Sequence, residues 1–171
     1  MADPMKKPGR LAIAAVLATA LAVPAEGLRQ VAYRDPPGIL TACRGHTGPE
    51  VRAGVRYSIE QCDRWLTDDM RRAITLVDRC APGLPPEALA AFGDAVFNAG
   101  PTVACDTASS TAARYLRQYS ANPDSGVPML RAACDQLPRW DKARVAGVLV
   151  SLPGLTKRRA AERDLCLKGL S

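Results

Sequence analysis

Histidine is almost missing from this chain: His46 is the only one among 171 residues. A Ser-His-Asp triad would have to use it, and a histidine-based metal cluster has little else to draw on. No metal or other cofactor is therefore expected. Aromatic residues are scarce, at 5%, and no nucleic-acid reader motif stands out, which argues against a nucleic-acid partner. The six cysteines never form a CxxC pair, the close spacing that zinc and redox sites favour. Internal repeats and long low-complexity segments are also lacking. Finally, the apolar amino-terminal stretch, residues 11–25, falls short of the roughly 20 residues that span a bilayer comfortably.

What is present fits one domain with a packed core, since 47% of residues are hydrophobic. Lys and Arg outnumber Asp and Glu by 23 to 17. A basic surface is drawn to peptidoglycan, nucleic acid or anionic lipid alike, and it also simply keeps a protein soluble. Cys43, Cys62, Cys80, Cys105, Cys134 and Cys166 are even in number and scattered. That pattern favours disulfides made in an oxidising compartment, against the plainer use of buried thiols as small apolar residues. Fifteen pairings are open to six cysteines; the three sequential pairs are the expectation.

Lys6, Lys7 and Arg10 precede the uncharged run LAIAAVLATALAVPA, a positive n-region followed by an apolar h-region that points to export. Between Val31 and Arg44, Tyr33, Ile39, Leu40, Thr41 and Cys43 flank the turn-forming Asp35, Pro36, Pro37 and Gly38, which reads as a short β-hairpin. From Ser58 the period changes. Ile59, Cys62, Leu66, Ala73, Ile74, Val77 and Cys80 recur at three- and four-residue steps, so an amphipathic helix is expected, capped by Ser58 with Gln61 and ended by Pro82-Gly83. Gly and Pro divide the remainder into helix-length pieces at roughly 86–99, 106–119, 127–137, 142–151 and 156–168. The fold class is α+β, with an antiparallel hairpin near the beginning and a helical lobe after it.

Glu26, Asp35 and Thr41 stand at the end of the apolar segment, in the turn and on the returning strand of that hairpin, so folding can bring them to one cleft. Glycoside hydrolysis needs an acid for the leaving oxygen and a second group that directs water or stabilises the oxocarbenium-like charge. Glu26, flanked by Ala25 and Leu28, suits the acid, because an apolar setting favours the protonated form. Asp35, beside Arg34 in a polar turn, suits the ionised partner, and the Thr41 hydroxyl can hold the attacking water with it. Taken singly, each residue type also has an ordinary structural use: a solvated helix-end glutamate, a turn aspartate, a β-forming threonine.

The run Glu26-Gly27-Leu28-Arg29, Tyr33-Arg34-Asp35, Gly38, Thr41 and Gly45-His46 resembles the active-site segment of the phage-type lysozymes, the bacteriophage endolysins of glycoside hydrolase family 24. Phe97-Asn98-Ala99-Gly100 extends the resemblance, as do the motifs from Cys134 to Trp140 and from Gly154 to Cys166. It covers the chain after residue 25. The resemblance implies the phage-type lysozyme fold, a catalytic domain over 26–171, and hydrolysis of the β-1,4 bond between N-acetylmuramic acid and N-acetylglucosamine, with inversion. It implies Glu26 as general acid, Asp35 and Thr41 as the pair that positions water, and contact of Phe97 and Asn98 with the glycan. His46 is implied in an ion pair with Asp69 or Asp68. Pro36-Pro37 and the apolar segment from Lys142 to Pro153 depart from the family pattern. Lys157, Arg158, Arg159 and Arg163 either meet anionic wall polymer or form a solvated helix face.

Ala20-Leu21-Ala22 offers a cleavage site, yet cutting there would leave three residues ahead of Glu26. Retention of residues 1–25 resembles the signal-arrest-release endolysins, in which a weakly apolar anchor first tethers the enzyme to the inner membrane and later joins the folded domain. The expected life of the chain is thus export, transient tethering through residues 11–25 and release into the periplasm as a monomer that lyses the host. A lytic transglycosylase, which needs the acid but no water-directing Asp35, is the rival enzyme. A secreted wall-binding protein without activity is the non-enzymatic rival.

Overall fold

A computed structural model describes residues 7–35 and 38–170. Lys6 and the Pro36-Pro37 pair lie outside the described residues. The amino-terminal segment is helical, α1 (Lys7–Ala25). It leads into β1 (Arg29–Arg34), β2 (Leu40–Cys43) and β3 (His46–Thr47), an antiparallel sheet in that order. The expected hairpin is β1 with β2; β3 extends it. The long amphipathic α2 (Ile59–Cys80) follows, its amino terminus capped by the Ser58 side chain, which accepts from the Gln61 backbone N–H. Its apolar stripe, Cys62, Leu66, Met70, Ala73, Ile74 and Val77, is buried.

α3 (Pro86–Ala99) is buried from Ala88 through Val96. A helix apolar on every side belongs in the middle of a domain, and α3 packs against α1, α2 and α7 (Pro153–Lys168). Gly93 allows α2 close: a Cβ there would meet Ile74 Cγ1 at 2.6 Å. α1 reaches the same core through Ala14, Ala18 and Ala22, all fully buried, four residues apart and therefore on one face. Its other face keeps Ile13, Val16 and Val23 exposed at 40%, 71% and 40%. Arg10 ties the helix down near its start, donating to Asp78 at 2.5 Å and to the Leu84 carbonyl at 2.7 Å.

The later elements differ in detail from the sequence reading. In place of the helix expected over 106–119, a short α4 (Thr102–Cys105) precedes that stretch and α5 (Thr111–Ala121) begins five residues into it and ends two beyond it. Between them Asp106 accepts from the backbone N–H groups of Ala108 and Ser109, a turn that competes with the helix. α6 (Val127–Cys134) stops short and a 3-10 turn (Leu137–Trp140) follows, because Pro138 lacks the N–H that a longer helix needs. The helix expected over 142–151 is instead a hairpin, β4 (Lys142–Val145) with β5 (Val148–Ser151). Ala146 and Gly147 both have positive φ, 49° and 82°, the two-residue turn that matches strand twist, and Val145, Val148 and Val150 favour strands.

The disulfides pair sequentially, Cys43–Cys62, Cys80–Cys105 and Cys134–Cys166. They fasten β2 to α2, α2 to α4 and α6 to α7. The class is α+β, as the sequence led us to expect. The alanine face of α1 makes a quantitative prediction: Ala18→Leu overpacks a closed interface and costs about 1–3 kcal/mol, whereas Val16→Ser at an exposed position changes stability by less than about 0.5 kcal/mol. Urea unfolding of the two variants checks the contrast.

Candidate active site

Glu26 is the first residue beyond α1, and its backbone N–H still donates to the Ala22 carbonyl at 2.8 Å. The end of the helix therefore sets where its side chain begins. Opposite it runs the β2–β3 turn, where Gly45 has φ +81° and a Cβ would sit 3.5 Å from Glu26 Oε2. Only glycine takes that backbone without strain. Glu26 is 20% exposed and accepts from Arg158 Nη1 at 2.6 Å. Its surroundings are thus not the apolar setting suggested by Ala25 and Leu28; a guanidinium from the far end of the chain occupies that side.

Asp35 and Thr41 come together across the hairpin. Asp35 donates its backbone N–H to the Ile39 carbonyl at 3.0 Å, and its Oδ1 accepts from the Ile39 N–H at 2.7 Å. Oδ2 is left for the Thr41 hydroxyl at 3.4 Å, which also reaches the Ile39 carbonyl at 3.1 Å. Tyr33 pairs with Thr41 in the sheet register. Glu26 and Asp35 line one cavity of about 550 Å³, with Arg29, Tyr33, Arg34 and Gly45. Glu26 also borders a second cavity of about 570 Å³, lined by Asn98, Leu152, Leu155, Lys157 and Arg158 among others. Open space therefore lies on both sides of this carboxyl.

Arg158 is held from behind by Asp94, bidentate at 2.7 and 2.9 Å. Asp94 is fully buried. Burial alone disfavours a guanidinium charge, but hydrogen bonds and charge from Asp94 and then Glu26 overcome it and raise the Arg158 pKa further. Arg159 and Glu162, both fully buried, pair at 2.6 Å, and Arg159 also donates to Asn98 Oδ1 at 3.1 Å. The basic run 157–163 is consequently not one charged face. Arg158 and Arg159 are buried and form no solvated face; Arg163 pairs with Asp135. Phe97 is half-buried with Arg158 5.8 Å above its ring, and Asn98 is exposed at the cavity.

His46 is buried and sits apart from the cleft. Its Nδ1 lies 2.6 Å from Asp69 Oδ2 and its Nε2 2.8 Å from Glu50, while the ring stacks on Trp65 at 4.3 Å. Asp68 pairs with Arg71 instead. With Cys43–Cys62, this contact locks the sheet onto α2. Asp94 and Glu162 went unremarked in the sequence, although a charge inside the apolar run AAFGDAVF and an Arg158–Glu162 spacing of one helical turn were both visible.

The buried Arg158–Asp94 pair yields an asymmetric prediction. Arg158→Ala leaves a fully buried carboxylate without its counter-charge and destabilises by about 3–5 kcal/mol. Arg163→Ala, which removes a half-exposed pair, costs no more than about 1 kcal/mol. Chemical unfolding of both variants compares them.

Residues 24–162 match a family model described as phage lysozyme. The chain is 34% identical over 170 residues to the SAR-endolysin of Bacteriophage PS119, covering 94% of this chain and 89% of that protein. Identity to the SAR-endolysin of Pseudomonas phage phiKMV is 34% over 166 residues, with 96% and 94% covered. Among solved structures, the muramidase domain of SpmX from Asticaccaulis excentricus superposes with a TM-score of 0.72 at 26% identity, covering 88% of this chain and 94% of that one. The active form of the P1 phage endolysin Lyz gives 0.70 at 27%, covering 91% and 85%.

Proposed function

The chain belongs to the phage lysozyme family, and from that premise we propose that this endolysin-type hydrolase cleaves the β-1,4 bond between N-acetylmuramic acid and N-acetylglucosamine in peptidoglycan, with Glu26 as its general acid. One observation carries the reading: Glu26 and Asp35 line the same cavity while being held by unlike partners. Glu26 is gripped on one oxygen by Arg158, and its Oε2 faces Gly45. Asp35 has Oδ1 fixed by a backbone N–H, leaving Oδ2 beside Thr41. The glycan enters past Glu26, which protonates the leaving oxygen. Water held by Asp35 and Thr41 attacks the anomeric carbon directly, with inversion. Asn98 contacts the sugar chain from α3, and Phe97 supports Arg158 and the same wall of the cleft.

The same helix that ends at Glu26 supplies the proposed regulation. Among the described residues no helix is long and apolar enough to cross a membrane, and a weak anchor of this kind is cheap to withdraw. In the membrane-tethered state residues 11–25 lie in the bilayer and Glu26 is held at its surface, away from Arg158 and Asp35. On release, Ala14, Ala18 and Ala22 enter the core and the cleft assembles in the periplasm. The exposed Val16, Ile13 and Val23 are the lipid-facing remainder of that first state. The similarity to the SAR-endolysins of Bacteriophage PS119 and Pseudomonas phage phiKMV supports this sequence of events.

Glu26→Gln and Asp35→Asn each lower the rate of cell-wall turbidity clearance by about 10²–10⁴-fold, the scale of a lost acid or base, with little change in unfolding midpoint for Asp35→Asn. Clearance by Glu26→Gln at the wild-type rate removes the catalytic assignment. Intact mass of the active periplasmic form is expected to include residues 11–25. A fully active protein beginning at Val23 would contradict retention, since all three buried alanines of α1 would be gone.

A further inference from the structure

Behind Glu26 lies more buried charge than holding one side chain requires. Asp94, Arg159 and Glu162 have no exposed side-chain surface, and Arg158 is 4% exposed. Together with Glu26 they form one connected set: Glu26 to Arg158, Arg158 to Asp94, Glu162 to Arg159, with Arg158 Nε 3.8 Å from Glu162. The set contains three carboxyls and two guanidiniums. Fully ionised it carries one unmatched negative charge while four of its five side chains are almost wholly buried, an arrangement that desolvation strongly disfavours. One added proton makes it neutral.

The geometry says where that proton resides when Glu26 is ionised. Asp94 uses both oxygens on Arg158. Glu162 uses Oε1 on Arg159, and among the described residues its buried Oε2 has no donor. A proton on Oε2 turns that orphan acceptor into a donor toward Asp94, with which the Glu162 carboxyl interacts. Burial, reinforced by Asp94 and opposed by Arg159 and Arg158, pushes the Glu162 carboxyl up to about 10. The groups facing it are Asp94 from α3 and Arg158 and Arg159 from its own helix, with Asn98 beyond Arg159 and Glu26 beyond Arg158.

We propose that Glu162 is a positioning residue that carries the cluster's one proton while Glu26 is ionised and releases it when Glu26 is protonated, so that Arg158 stays balanced in both states. This rests on the reading of Glu26 as the acid. General acid catalysis requires a protonated Glu26 beside a guanidinium that favours its ionised form. If Glu162 is permanently neutral, protonating Glu26 leaves the set with one unmatched positive charge. If Glu162 gives its proton to solvent as Glu26 takes one from solvent, the set remains neutral, two guanidiniums against two carboxylates. Only O–H bonds change.

The test compares wild type, Glu162→Gln, Glu26→Gln and the double variant by urea unfolding between pH 5 and 9, with clearance profiles over the same range. Glutamine keeps the donor to Asp94 and cannot ionise. The unfolded chain releases the Glu162 proton above its ordinary carboxyl range while the folded chain keeps it, so raised retention stabilises less as pH rises. Wild type therefore loses stability relative to Glu162→Gln by up to about tenfold in the folding equilibrium constant per pH unit. In the Glu26→Gln background this loss levels off at lower pH, because Glu162 ionises once Glu26 no longer matches Arg158. The alkaline limb of Glu162→Gln clearance moves to lower pH by about one unit, which a purely structural role would not produce.

Wild type and Glu162→Gln with parallel stability curves overturn the buried proton, and identical differences in the two Glu26 backgrounds overturn the coupling. If Glu26→Gln retains full activity, the catalytic reading fails separately and the stability comparison still decides the proposal. Should Glu162→Gln not fold, carboxyl carbon NMR of the five glutamates in the wild-type chain gives the answer. One signal in the protonated position at pH 7 is expected, and five ionised signals refute it.

Discussion

Arg158 lies buried with Asp94 behind it and Glu26 in front, and the geometry of the cleft follows from that arrangement. A guanidinium removed from water is tolerated only with its charge and its N–H fork both matched. Asp94 supplies the match from the most buried helix of the fold, which fixes the height and rotation of α7 against α3. The remaining N–H group points at Glu26. Residues separated by 132 positions in the chain are thereby brought to a 2.6 Å contact, and the carboxyl that begins as a free helix end becomes a fixed one.

The second constraint comes from α1. Its buried alanines present almost no side-chain volume, so the helix approaches α3 closely while adding little apolar area per residue. That makes its docking modest in strength compared with a leucine-faced helix of the same length. Arg10 with Asp78 and the Leu84 carbonyl compensates at one end, and the Glu26–Arg158 pair at the other. Under the proposed tethering, the residues that draw the chain into a bilayer and those that seat it in the core share one short helix. Assembly of the cleft and insertion of the helix are then a single event.

The hairpin, the long α2, the presence of disulfides and the α+β class were all readable from periodicity, turn residues and cysteine count, whereas the cysteine count left the pairing open among fifteen. The position of Glu26, Asp35 and Thr41 on neighbouring elements was readable too, since all three lie within sixteen residues. What stayed hidden is long-range. Nothing local distinguishes Arg158, which faces Asp94, from Lys157, which faces solvent; the difference is helical phase against a partner 64 positions away. The same cause put Arg158 and Arg159 on an expected surface patch. The 142–151 segment was misread as a helix because a short apolar run supports either period, and its Ala146-Gly147 turn decides for a hairpin only once positive φ is seen.

In the proposed mechanism Glu26 delivers a proton while water held at Asp35 attacks. Digestion of purified peptidoglycan in ¹⁸O-water by wild type and Glu26→Gln reads both halves at once. One ¹⁸O at each new reducing N-acetylmuramic end, lost with Glu26→Gln, is the predicted result. Anhydromuramic ends without ¹⁸O, or undiminished cutting by Glu26→Gln, would contradict it.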